Sequence, residues 1–366
     1  MHNIGIIGYG AFGRFLKESW EELPNARVTF ITKTQVESAK EMAERDGVPK
    51  YSADYRDVIA DEDVDIVAIA TPPYMHKEMA VEALKAGKHT LVEKPLAVSV
   101  ADAEAILAAA RKSGRIGAVN FMMRYSGLVE KLVALRTEGV LGGLNRIIVE
   151  NYAGDEGLSP DHWFWDRAKS GGILIEHGVH FFDLARWVAD SVPTRTVGFA
   201  TERAPGVQDK VLACVQYEDS TMACFYHSFS RPGNLEETSA RYVFDRGEVD
   251  VIGWIPMKLR LRGFVSDGEL LRLMELFHGG DMRTSPLARK EVVSSGVTYP
   301  VSQEITLAYV HSTDKQAEYA ACARGLMADM IRSIENPNHA MRVTMEDGLE
   351  SVRTAQAAAE SAASAL

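Results

Sequence analysis

Through the first 120 residues, short apolar runs alternate with amphipathic stretches. Residues 4–7, 28–31, 64–70, 90–92 and 116–119 are apolar and too short for helices, so they read as strands. Between the first two, Phe12, Phe15, Leu16 and Leu23 recur at helical spacing as far as Leu23-Pro24. Further helices are predicted over 36–45, stopped by Gly47, over 79–85, ending at Gly87, and over 100–112. The run at 64–70 is apolar without alternation, as suits a strand covered on both faces. Strands that alternate with helices imply a parallel, doubly wound sheet. Downstream the pattern changes. Residues 211–217 and 221–229, joined by a turn at Glu218-Asp-Ser220, read as an antiparallel hairpin, and 239–244 joins 248–252 at Arg246-Gly247. Helices return over 314–335, where Asn336-Pro337-Asn338 stops the run, and from Met345 onward.

At 366 residues the chain exceeds the usual span of one domain, so two domains are expected, 1–120 and 121–366. A composition of 46% hydrophobic and 25% charged residues suffices for a full core. The formal charge of −11 argues against a nucleic-acid partner, since phosphate backbones demand a basic surface. No apolar run is long enough for a membrane span, and Met1-His-Asn leads directly into the first strand without an export signal, so a cytoplasmic location is the expectation. Cys214, Cys224 and Cys322 are too few and scattered for a disulfide framework or a metal site, and read as small buried apolar groups.

Gly8-Tyr-Gly10-Ala11-Phe12-Gly13 lies between a strand and a helix, the context that turns a common glycine pattern into a dinucleotide loop. Gly8 would allow the tight turn, Gly10 the close approach of a pyrophosphate, and Gly13 close packing of helix on strand. At the end of the second strand, where an acid would bond the ribose 2′-hydroxyl of NAD, stands Lys33 between Thr32 and Thr34. An ammonium there attracts a 2′-phosphate, which favours NADP, with NAD still possible. After residues 90–92 comes Glu93-Lys94-Pro95; proline keeps Lys94 out of the helical basin, so its amine can point beyond the sheet edge, where ligands sit in such folds.

Together with Ala70-Thr71-Pro72-Pro73-Tyr-Met-His76, Ala86-Gly87-Lys88-His89, Gly171-Gly172-Ile-Leu-Ile-Glu176-His-Gly-Val-His180-Phe-Phe-Asp183 and the capping-box pattern Thr344-Met-Glu-Asp347, these motifs resemble, in order and over nearly the whole chain, the glucose-fructose oxidoreductase/inositol dehydrogenase/MocA family. The resemblance implies an α/β Rossmann domain followed by an α+β domain with a large open, mostly antiparallel sheet, used for substrate binding and oligomerisation. It also implies cofactor contacts from Thr71, Pro72, His76, Glu93 and Lys94. The chain departs from the family pattern where Ile173 replaces a third glycine and Glu176 an aspartate.

Glu176, His180 and Asp183 fall at i, i+4 and i+7, one stripe of a helix if that helix is regular. With Lys94 they form the expected catalytic set: Lys94 and His180 facing a reacting hydroxyl, either one taking the proton, and Glu176 orienting. Asn120, Arg124, Trp163, Trp165, Glu176 and Asp183 are the expected substrate contacts. The aromatic segment 161–167 suits the C–H faces of a sugar ring and equally suits hydrophobic packing. Tyr152, Asp155 and His227 are weaker candidates. No metal is expected. Two functional classes fit: an NAD(P)-dependent dehydrogenase or reductase acting on a sugar, cyclitol or related polyol, with diols, imines and aromatic-ring ketones as alternatives, and a non-catalytic nucleotide sensor. The small polyhydroxylated substrate and a second copy of the chain, as homodimer or homotetramer, are the expected partners.

Overall fold

The computed structural model describes residues 1–364. In chain order the first elements are β1 (His2–Ile7), α1 (Ala11–Trp20), β2 (Ala26–Thr32), α2 (Val36–Asp46), β3 (Lys50–Ser52), α3 (Tyr55–Ala60), β4 (Ile66–Ile69), α4 (His76–Lys85), β5 (His89–Val92), α5 (Val100–Ser113) and β6 (Gly117–Val119). Next come α6 (Gly127–Thr137), β7 (Leu144–Gly154), α7 (Arg167–Ser170) and α8 (Val179–Ala189). A run of strands follows: β8 (Pro193–Ala204), β9 (Val207–Tyr217), β10 (Met222–Arg231), β11 (Glu237–Phe244), β12 (Gly247–Ile252) and β13 (Lys258–Val265). After α9 (Asp267–Leu276) come β14 (Asp281–Pro286), β15 (Glu291–Ser294), β16 (Val297–Pro300) and β17 (Gln303–Val310), then α10 (Lys315–Glu335) and α11 (Met345–Ser364).

One compact unit comprises residues 1–125, 160–183 and 319–356; the other comprises 126–159, 184–318 and the described residues after 356. The units interleave along the chain, whereas the expected division was a single cut after residue 120. The first unit holds a six-stranded parallel sheet in the order β3-β2-β1-β4-β5-β6. Chain direction across the sheet reverses between β1 and β4, and the crevice beyond the carboxyl ends of those two strands is where such sheets bind ligands. All four residues of β4 are buried, as its unbroken apolar run requires. Within the first 120 residues two elements escaped the sequence pattern, β3 and α3, the latter started by the Asp54 side chain accepting from Arg56 N–H.

The second unit is built on a nine-stranded sheet, β14-β17-β13-β12-β11-β7-β10-β9-β8, antiparallel except where β7 runs parallel with β10. The expected hairpin forms between β9 and β10, with Ser220 in the left-handed region of its turn. Among the described residues no helix is long and apolar enough to cross a membrane.

Candidate active site

The glycine loop sits at the β1/β4 crevice. Gly8 has φ +92°, and a Cβ there would lie 2.6 Å from the Ala70 carbonyl oxygen, so both backbone freedom and space demand glycine. A Cβ on Gly13 would press to 2.7 Å on the Gly8 carbonyl oxygen, whereas one on Gly10 would meet nothing within 4 Å. Gly10 therefore borders open space just ahead of α1, whose first turn carries no acid and whose N-cap offers no side chain. Free N–H groups and a positive helix end suit a phosphate. Tyr9 pins the loop by donating to Asp46 Oδ2 at 2.9 Å, and Lys33 Nζ donates to the Tyr9 carbonyl at 3.3 Å.

A cavity of about 330 Å³ opens here, lined by Gly8, Gly10, Thr32, Lys33, Thr34, Thr71 and Pro72 together with the apolar Met75 and Met79. No carboxylate is among its lining residues. An open cradle at a helix N-terminus next to an apolar slot fits a dinucleotide; Ala11 and Phe12 begin the helix, with Phe12 packed near Phe15 and Tyr319. His76, expected to touch the cofactor, is fully buried instead, with Nδ1 2.8 Å from the Pro95 carbonyl oxygen and Nε2 2.9 Å from that of Thr71. Desolvation lowers its pKa, and a neutral ring with one N–H donates to one of these two carbonyls, wedged between the β4 and β5 ends.

Beyond β5 the chain supplies the polar core of the site. Lys94, whose peptide bond to Pro95 is cis, donates from Nζ to Glu176 Oε1 at 2.7 Å and to the Glu176 carbonyl at 3.0 Å. Both side chains keep some exposure, 17% for Lys94 and 12% for Glu176. Glu93 accepts from the Lys94 N–H at 3.2 Å and from Asn120 Nδ2. Burial pushes the Glu93 carboxyl up to about 7 against the pull of these donors. Asn120 is itself 1% exposed, so it orients Glu93 and has no surface for a substrate.

The single helical stripe expected for Glu176, His180 and Asp183 is broken. Residues Leu174–Gly178 form a π-helical turn ahead of α8, so Glu176 lies on the π turn while His180 and Asp183 lie on the α-helix. A π turn shifts the angular phase of what precedes it, and such turns recur at functional sites. It also brings in His177, which the sequence reading did not select. Its imidazole, pressed by burial and by the Lys94 charge to about 3, stays neutral at ordinary pH. His180, 8% exposed, has its ring centroid 6.3 Å from that of His177 and 6.2 Å from Phe121.

Arg124 and Asp183, expected to contact substrate, are each 1% exposed and bound to one another. Arg124 Nε donates to Asp183 Oδ2 at 2.9 Å and Nη2 to Asp183 Oδ1; Nη2 also reaches Asp347 Oδ1 at 3.0 Å, and Nη1 the Arg342 carbonyl at 2.8 Å. The guanidinium thus clamps α8 to the start of α11, where Thr344 and Asp347 complete a reciprocal cap. Trp165 is buried against Phe164, rings edge to face at 4.9 Å, and Trp163 is half-buried beside His162. In the second unit Tyr152 pairs with Tyr226 and Arg231, Asp155 bonds Arg203, and His227 is fully buried.

Residues 2–121 match the oxidoreductase family with an NAD-binding Rossmann fold, and residues 129–250 match the GFO/IDH/MocA C-terminal domain. The uncharacterized oxidoreductase YrbE of Bacillus subtilis is 24% identical over 363 residues, 98% of this chain and 94% of the relative. Levoglucosan dehydrogenase of Pseudarthrobacter phenanthrenivorans is 30% identical over 200 residues, 51% of this chain and 50% of the relative. The scyllo-inositol 2-dehydrogenase (NAD(+)) of B. subtilis is 28% identical over 194 residues, 53% and 55% of the two chains. Among solved structures, a levoglucosan dehydrogenase in complex with NADH superposes with a TM-score of 0.82 at 20% identity, covering 99% of this chain and 97% of the other. The two matched regions span both halves of the fold described above, and the chain belongs to the GFO/IDH/MocA family of NAD-binding oxidoreductases.

Proposed function

We propose that this protein is a dehydrogenase or reductase that moves a hydride between a nicotinamide dinucleotide, NADP in preference to NAD, and a secondary alcohol or ketone of a sugar, cyclitol or related polyol. When bound, the nicotinamide supplies the hydride donor or acceptor. The chain supplies the rest. The glycine loop and the start of α1 hold the pyrophosphate, and Thr71 and Pro72 line the same crevice. Lys33, flanked by Thr32 and Thr34 in a pocket without a carboxylate, favours a 2′-phosphate.

The observation that carries the reading is the Lys94–Glu176 pair at 2.7 Å, partly exposed and set beyond the sheet's carboxyl edge. Lys94 Nζ holds the proton at the reacting oxygen, offering it to a developing alkoxide or receiving it from a hydroxyl. Glu176 steadies the ammonium, and His180 exchanges protons with the site from the adjoining turn. Trp163 and Glu176 meet the substrate's ring face and hydroxyls. The unit with the six-stranded sheet binds the nucleotide and the unit with the nine-stranded sheet carries oligomerisation, in a cytoplasmic homodimer or homotetramer.

The names of the relatives support the substrate class: levoglucosan and scyllo-inositol are both polyhydroxylated rings. A panel of inositols, aldoses, sugar acids and simple diols, followed through the absorbance of reduced cofactor, tests it. Turnover on at least one polyol that falls by 10²-fold or more in Lys94→Ala, with cofactor affinity kept, is the expected result. Silence across the panel while NADP binds would favour a nucleotide sensor.

A further inference from the structure

Cys214 on β9 and Cys224 on β10 are directly opposed in the antiparallel register, and their Sγ atoms stand 3.4 Å apart. Neither is the buried apolar group expected from sequence; only Cys322 is buried. Alternation along the strands places both thiols on the less buried face. On β9, Val211, Ala213 and Val215 are buried while Lys210 and Gln216 are exposed, with Cys214 between the latter two; on β10, Ala223 and Phe225 are buried while Met222 is exposed and Cys224 and Tyr226 are half-buried.

We infer that Cys214 and Cys224 are a reversible redox modification site that closes to a cross-strand disulfide. Directly opposed antiparallel residues have Cα atoms about 4.5–5.5 Å apart, inside the roughly 4.4–6.8 Å that disulfides span. The backbone is thus already in place. Bringing the sulfurs to a bond of about 2.05 Å needs side-chain rotation only. Zinc binding is the poorer reading: a structural zinc takes about four ligands, and among the described residues no group of three or more His, Cys, Asp or Glu is arranged to hold a metal.

The oxidant is a low-molecular-weight disulfide. One protein thiolate attacks it to give a mixed disulfide and release one thiol; the second protein thiolate then attacks the protein sulfur of that mixed disulfide and releases the other. Two protein S–H bonds are lost, one protein S–S bond forms, and the reagent's S–S bond is reduced to two thiols. Burial, and after it the contact with Cys224, pushes the Cys214 thiol up to about 11, so the rate should climb with pH.

The test exposes the native protein to oxidised glutathione at pH 8.5, quenches with acid, alkylates under denaturing conditions with N-ethylmaleimide, and measures intact mass. The expected product carries one maleimide, on Cys322, and no glutathione, yields a peptide linking 214 to 224, and returns to three maleimides after dithiothreitol. Cys214→Ser should yield no internal link. Three maleimides after native oxidation, stable glutathione adducts, or a link to Cys322 or between chains would each overturn the inference.

Discussion

Replacing Arg124 with methionine removes the guanidinium that bonds both carboxylate oxygens of Asp183. Asp347 would keep its bonds to Thr344 N–H and Oγ and is 14% exposed, so the loss falls on Asp183, whose side chain is 2% exposed. Breaking a buried ion pair from one side costs about 3–5 kcal/mol. A second route to the figure is to neutralise the carboxyl that loses its guanidinium: protonating an ordinary aspartate, pKa about 3.9, costs about 4 kcal/mol at pH 7 and about 1.5 kcal/mol at pH 5. The two agree, and the second makes the cost depend on pH. In urea unfolding, Arg124→Met should therefore lose about 3–4 kcal/mol at pH 7 and about half of that or less at pH 5. Adding Asp183→Leu should recover most of the loss, since a well-packed apolar pair replaces a buried ion pair at little cost. A loss under about 1 kcal/mol at pH 7, or one unchanged at pH 5, would refute the view that this guanidinium anchors α8.

Other outcomes follow from the same geometry. Gly10→Ala should fold like the parent, since its methyl meets nothing within 4 Å, yet bind cofactor at least about 10-fold more weakly in a fluorescence titration; Gly8→Ala should lower the melting temperature outright. An equal effect on folding from both would contradict the cradle. Glu93 is raised from 4.5 to about 7 on folding, so between those values the native state holds a proton the unfolded chain has lost, and stability falls as pH climbs through that window, by at most on the order of 3 kcal/mol. Glu93→Gln should flatten that slope in melting temperatures taken from pH 4.5 to 7.5; an unaltered slope would assign it to another group. Lys33→Glu should reverse the cofactor preference, raising the Michaelis constant for NADP by about 10-fold or more while that for NAD falls or holds. A parent enzyme that already prefers NAD would end that assignment.

How much of this was readable in the chain depends on the distance over which each feature is encoded. The Rossmann strands, the Gly47 stop and the glycine loop are local: apolar runs, a left-handed residue at φ 68°, and a turn between β1 and α1. Strand β3 and helix α3 are short and polar, with too few apolar positions to register a period. Arg124 and Asp183 lie 59 residues apart, and nothing beside either announces the other, so two charged residues near a suspected site were read as ligand contacts. The π turn is illegible for a different reason: counting i, i+4 and i+7 presumes the regular helix that Leu174–Gly178 does not form. His76 misled because a family position says nothing of burial.

The cysteine pair, by contrast, is encoded locally, in the length of a turn. The expected hairpin already put a turn at 218–220 between residues 217 and 221, and in an antiparallel ladder closed there each step outward pairs one residue on either side. Three steps from Tyr217 and Thr221 reach Cys214 and Cys224, the register the structure adopts. Ten residues separate the two cysteines along the chain, but the turn makes them neighbours. A period-two strand then fixes the face as well: Gln216 is exposed, so Cys214, two residues before it, must share the less buried side. The turn thus sets the two thiols opposite one another, and strand alternation sets both on the less buried face. Had the turn held four residues rather than three, one cysteine would have faced the core and the pair could not have met.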